Sequence, residues 1–179
     1  AVRMPADDDV LHAEHADDRL GPRALFRRGE AAYITGDLKA AREHLTAFHQ
    51  KYPSDALNAF ALPYLGDLAL QANQPAEAQT LYNTALRDYA QTSPADECRF
   101  GLARALHLQR RFDDAERIYT YLINKEGSPW TDDSLLQLGQ LQYERDEHDA
   151  SEKTLRGLLT DHPMTELEPY ARYWLGLSL

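Results

Sequence analysis

Apolar and small residues recur along the chain with the spacing of amphipathic helices, and the helices come in pairs. In ALFRRGEAAYIT, Leu25, Gly29, Ala32 and Tyr33 share one helical face. Gly36-Asp37 interrupts the pattern, and the aspartate is suited to cap the next helix. LKAAREHLTAFHQKY then places Leu38, Ala41, Leu45 and Phe48 on one stripe, and Pro53 ends it. The second pair reads LPYLGDLALQA, a turn at Asn73-Gln74, and AEAQTLYNTALRDYA opened by Pro75. Pro63 within ALNAFALPYLGDLAL predicts either a helix that begins near it or one bent there. The third pair begins with Ser93 as N-cap and Pro94 in the first helical position. It continues as DECRFGLARALHLQ, a turn at Arg110-Arg111, and FDDAERIYTYLIN. The fourth starts near Trp130 with DDSLLQLGQLQYE, turns at Asp146-Glu147, and runs through ASEKTLRGLLTDH to Pro163. LEPYARYWLGLSL is one further first helix.

The pairs are in register. Gly29, Gly66, Ala103, Gly139 and Gly176 are separated by 37, 37, 36 and 37 residues. Twelve positions after the first four come Ala41, Ala78, Ala115 and Ser151, and four further on Leu45, Tyr82, Tyr119 and Leu155. A near-constant period of this length marks a stacked-repeat architecture. A lone helical hairpin cannot bury its apolar faces, so each stacks on the next. The small residues are expected to let helix backbones approach, with the large ones filling the gap to the next hairpin.

These residues resemble the tetratricopeptide repeat, whose pattern is W-x2-L-G-x2-Y, then A-x3-F, then P. Leu65, Leu102, Leu138 and Leu175 precede the small residue, Arg28 being the exception, and Pro53 and Pro163 stand in the terminal proline slot. The tyrosine of the family's first helix is replaced by Ala32, Ala69, Leu106 and Gln142. The resemblance covers residues 22–179 and implies an all-α, right-handed superhelix of about four and a half helix pairs. The repeats would lie at about 22–58, 59–95, 96–131 and 132–168, with a half repeat at 169–179. Residues 1–21, crowded with Asp7, Asp8, Asp9, Glu14, Asp17 and Asp18, are expected to form an acidic arm or a capping helix. The 36–37-residue period, together with HQKYP and YARYWLG, is similar to repeats of bacterial cell-envelope proteins. That likeness implies the periplasm or envelope, with the cytoplasm as the alternative.

In arrays of this family the first helices line a concave groove. Positions seven apart on a helix share a face. This puts Phe26, Pro63, Phe100, Leu136 and Tyr173 (three before the small residue) with Tyr33, Leu70, His107 and Tyr143 (four after it). Arg23, Phe60, Glu97, Asp133 and Tyr170 lie six before, and Glu30 and Asp67 one after. The resemblance therefore implies a partner-binding set of Phe26, Glu30, Tyr33, Phe60, Asp67, Phe100, His107, Tyr143, Tyr170 and Tyr173. Some of these rings are also expected to pack between hairpins and touch no ligand. Members that clamp a C-terminal carboxylate use Lys and Asn in these slots. Phe, Tyr, Glu and Asp would repel one, which implies a peptide or partner protein of apolar and basic character.

Composition narrows the function by exclusion. A net charge of -10 argues against a nucleic-acid binder, which needs a basic stripe. No apolar run is long enough to span a membrane, so no membrane insertion is expected. Cys98 is the only cysteine and reads as a small buried apolar residue. His12 and His15 lack a third ligand at helical spacing, and the acidic pairs Asp113-Asp114 and Asp132-Asp133 sit where they favour a helix dipole. No phosphate loop and no GxSxG, HExxH or CxxC motif is present, so neither catalysis, cofactor nor metal is expected. The leading expectation is a non-catalytic interaction scaffold within a larger bacterial protein or complex. The alternatives are an accessory domain of a multidomain enzyme and an array that self-assembles through its C-terminal helix. A helix ending in YARYWLGLSL would leave Tyr173, Trp174 and Leu177 without the second helix that covers their counterparts.

Overall fold

The computed structural model describes residues 21–179. All of the expected acidic arm except residue 21, including His12 and His15, lies outside the described residues. Those described form α1 (21–34), α2 (Leu38–Lys51), α3 (Asn58–Gln71), α4 (Pro75–Tyr89) and α5 (Ala95–Leu108). They continue as α6 (Phe112–Asn124), α7 (Thr131–Glu144), α8 (His148–Asp161) and α9 (Glu168–Ser178), with no strand among the described residues.

Each hairpin turn uses one device. The small residues in register, Gly29, Gly66, Ala103, Gly139 and Gly176, form the ruler of the repeat, and the residue seven after each of the first four takes a left-handed conformation: Gly36 at φ 81°, Asn73 at 56°, Arg110 at 58° and Asp146 at 62°. Only the first repeat fills that slot with glycine, which carries no Cβ penalty there. Beyond the turn, Asp37 caps α2 as expected, accepting a hydrogen bond from the Ala40 amide at 3.1 Å. At the third pair the cap is displaced. Pro94 occupies the N-cap position and no side chain caps α5, so Ser93 does not perform the expected role.

Pro63 neither starts α3 nor ends it. The helix begins five residues earlier at Asn58, and the proline is buried inside. Asn58 anchors that early start. Its Nδ2 donates to the Tyr52 carbonyl at 2.7 Å and the Asp55 carbonyl at 3.0 Å, and its Oδ1 lies 2.8 Å from His49 Nδ1. A fully buried amide with its hydrogen bonds satisfied ties the α2–α3 connection down.

The ruler positions are helix-packing positions. A Cβ on Gly29 would stand 2.6 Å from Leu45, one on Gly66 2.6 Å from the Tyr82 ring, and one on Gly139 2.6 Å from Leu155. The large residue thus fills the space inside its own hairpin, against the glycine. The expectation of a plug to the next hairpin holds for Tyr82, which also presses on Gly101 of α5. Twelve after the ruler, the Ser151 hydroxyl donates to the Gly139 carbonyl at 2.8 Å, showing how closely those two positions meet. Ala41, Ala78 and Ala115 are completely buried. Ala78→Leu or Ala115→Leu is therefore expected to overpack the seam and cost ~1–3 kcal/mol. A thermal melt with the unmodified midpoint would refute that register.

From α2 to α9 every helix packs on its neighbours in sequence. The first helices of successive pairs also touch (α3 on α5, α5 on α7, α7 on α9), whereas the backbones of second helices stay apart, Arg42 of α2 reaching Glu77 of α4 only by its side chain. The first helices therefore form a continuous inner row and the second helices splay outside it, giving a helical-repeat solenoid with a concave inner face.

Candidate functional site: the inner face of the first helices

The inner face is best built from the slot one residue after the ruler. Along the array it holds Glu30, Asp67, Arg104, Gln140 and Leu177. Asp67 is the hub of its first half. Its Oδ1 accepts from the Tyr82 hydroxyl at 2.6 Å and its Oδ2 from the Tyr33 hydroxyl at 3.3 Å. Tyr82 belongs to an outer helix; its ring passes between Gly66 and Gly101 to bring the hydroxyl inside. Burial, with Asp67 adding, pushes the Tyr33 hydroxyl up to about 12 and that of Tyr82 higher still. Both phenols stay protonated and donate.

Around this hub, Tyr33 and Tyr64 lie ring against ring at 4.7 Å between centroids. Burial raises the Tyr64 pKa, and Glu30 and Glu97 raise it further. Burial also raises the carboxyl pKa of Glu97, with Asp67 adding. Glu30 is paired with Arg27, but neither Asp67 nor Glu97 has an ion-pair partner among the described residues. Cys98 is buried as expected. Burial first, then Glu97 and Asp67, push its thiol up to about 12, which suits packing and not nucleophilic attack.

The structure sorts the sequence-derived set by exposure. Phe26 is 2% exposed, edge-on to Phe48 at 5.7 Å, and belongs to the core. Phe100 is 8% exposed because Trp130, from the connection before α7, stacks on it at 4.8 Å. His107 is 6% exposed, between the rings of Phe112 and Tyr119. These three are not the open rings that helical spacing suggests. Glu30, Tyr33, Asp67 and Tyr143 are half-buried, Tyr143 lying 5.5 Å from Trp174. Phe60 is 43% exposed, and Tyr170 and Tyr173 are each 62% exposed. The aromatic row is thus exposed at α3 and α9 and covered at α5.

Tyr64, Glu97 and Arg104 belong to this face and are absent from the sequence-derived partner set. Reading the slot after the ruler through every repeat would have found Arg104, since that slot turns from acidic to basic there. Among the described residues no helix is long and apolar enough to cross a membrane. Nor do three or more His, Cys, Asp or Glu side chains converge there as a metal site would require.

The tetratricopeptide repeat model of one type matches residues 9–56 and 65–129, and that of a second type residues 133–163. No curated protein sequence matches the chain. Among solved structures, the fold is similar to a tetratricopeptide repeat protein from Parabacteroides merdae, with a TM-score of 0.69 at 20% identity over 88% of this chain. It is also similar to the MamA protein, with a TM-score of 0.68 at 16% identity over 89% of this chain. The nearly identical TPR-like repeats of a Podosopora anserina kinesin light chain give 0.68 at 13% identity over 89%. The chain spans 58% of the length of the first of these, 81% of the second and 84% of the third.

Proposed function

The chain belongs to the tetratricopeptide repeat family, and from that premise we propose that its concave face holds a segment of a partner protein that presents basic residues to α1, α3 and α5. Proteins of this family serve in general as protein–protein interaction scaffolds and are generally non-catalytic. The observation that carries the finer reading is the pair of half-buried carboxylates Asp67 and Glu97, neither of which forms an ion pair with a cation of the described residues. A lysine or arginine from outside would supply the missing charge, and the Tyr33 and Tyr64 rings would flank its stem. Exposed Phe60 adds apolar contact at the same end. The segment lies along the row of first helices because that row is the continuous concave surface.

The double substitution Asp67→Asn with Glu97→Gln keeps shape and removes both charges. In a cross-linking capture from a lysate of the source organism, the set held by the unmodified array is expected to lose its members with lysine- or arginine-rich segments. An unchanged captured set, from a variant that melts as the parent does, would refute the reading.

A further inference from the structure

The charge of the inner face reverses at the third repeat, and the reversal has a cleft attached. Between α5 and α7 lies an opening of about 340 Å³ walled by Arg104, His107, Arg110, Gln137, Gln140 and Glu144. Arg104 continues the slot of Glu30 and Asp67, so the cleft belongs to the same concave face.

Three observations bear on what it takes. The first is an unused pair of guanidinium groups. The chain carries 29 Asp and Glu against 19 Lys and Arg, and its arginines mostly find carboxylates. Arg42 pairs with Glu77, Arg99 with Asp96, and Arg145 with Asp113, Glu116 and Glu147. Arg104 and Arg110 have no carboxylate partner among the described residues. Each lies over an aromatic ring instead, Arg104 5.9 Å from the centre of Phe100 and Arg110 5.0 Å from that of Phe112. Among the described arginines only Arg23 and Arg28 on α1 likewise lack a carboxylate partner, and neither lies over a ring there.

The second is a buried imidazole. His107 is 94% buried, by its 6% exposure, and lines the cleft. Its Nε2 lies 3.3 Å from Glu144 Oε2, out of line for a hydrogen bond, and has no hydrogen-bond partner among the described residues. Burial lowers its pKa, Arg110 lowers it further, and Glu144 opposes both. The third concerns the acidic wall: Glu144 Oε1 accepts from Gln140 Nε2 at 2.9 Å while its Oε2 faces the imidazole, so Glu144 is turned to His107 and not to either arginine. What remains is two guanidinium groups without an ion pair beside a buried imidazole, which together suit an anionic acceptor.

We propose that this cleft takes the side-chain carboxylate of an acidic residue within the bound segment, so that the segment is basic where it meets Asp67 and Glu97 and acidic where it meets Arg104 and Arg110 at the far end of α5. The carboxylate is an internal one because the inner row continues past the cleft on both sides, from Asp67 before it to the exposed Tyr173 and Leu177 after it. The inference extends the concave-groove reading above. Its function is to fix register: a segment displaced by one repeat would set its acid against Asp67 and its bases against Arg104.

The test uses the whole chain and three small probes, so it does not depend on Asp67 or Glu97. N-acetyl-glutamate N-methylamide presents an internal carboxylate, N-acetyl-glutamine N-methylamide the neutral isostere, and N-acetyl-alanine a terminal carboxylate. The readout is the His107 ring in long-range proton–nitrogen NMR spectra. The glutamate probe is expected to shift the ring saturably and to raise its pKa, while the glutamine and alanine probes do not. Arg104→Gln and Arg110→Gln should each weaken that response about tenfold or more, and Arg23→Gln should leave it unchanged. Arg110 stands at an exposed turn, so its variant serves if Arg104→Gln melts early. Equal shifts from the glutamine probe, or none from any probe, would overturn the carboxylate assignment. A response to N-acetyl-alanine as strong as that to the glutamate probe would overturn the internal position. A positive titration beside an unchanged lysate capture would retain the cleft and discard the basic half of the groove.

Discussion

Tyr82→Ala is expected to cost about 3–5 kcal/mol of stability, the most of any single change considered. The ring is 1% exposed, sits between Gly66 and Gly101, and belongs to the largest core cluster with Ala78, Ala85 and Cys98. Truncation leaves a ring-sized void and strips Asp67 of its 2.6 Å donor. Because stability in a stacked array depends on each interface between neighbours, loss at the α3–α5 junction should uncouple its two sides. The expected result is a melt that drops and divides into two transitions. Tyr82→Phe separates the contributions: it keeps the packing and should cost about 1–3 kcal/mol through the hydrogen bond to a carboxylate. A single, unshifted transition for Tyr82→Ala would show that the junction is not held this way.

Two glycine-to-alanine changes should move stability in opposite directions. On helix propensity alone each would gain about 1 kcal/mol. At Gly101 a Cβ would stand 2.6 Å from Tyr82 Cε1, on a ring already confined from the Gly66 side. Gly101→Ala is expected to lose ~1–3 kcal/mol net. At Gly157, inside α8, the same atom would meet nothing within 4 Å. Gly157→Ala is expected to raise stability by up to about 1 kcal/mol. Denaturant titrations of the two variants beside the parent check both signs, and a stabilising Gly101→Ala would contradict the packing described.

The architecture was legible because repeats restate themselves: Gly29, Gly66, Ala103 and Gly139 return within one residue of the same spacing, so each hairpin checks the others. The face of each first helix was legible for the same reason. What spacing along one helix does not carry is cover supplied from elsewhere. Phe100 looks like a groove ring until Trp130 closes over it from a connecting segment. Gly101 lies off the ruler, so nothing local announces that it makes room for a ring from α4. Local chemistry at Pro63 left open a helix start or a bend, and the start lies instead at Asn58, which tertiary bonds anchor.

The arrangement in which first helices touch one another and the backbones of second helices stay apart has a mechanical meaning. The array is stiff along its inner row and compliant along its outer edge, like a leaf spring clamped on one side. An outer gap of about 590 Å³ already stands open between α6 and α8, walled by Ile123, Leu135 and Gly157. Opening or closing such a gap changes curvature, and between α2 and α4 it would also stretch the Arg42–Glu77 ion pair. The width of the concave face is therefore expected to adjust through the outer gaps, where few contacts resist, before the inner row gives way.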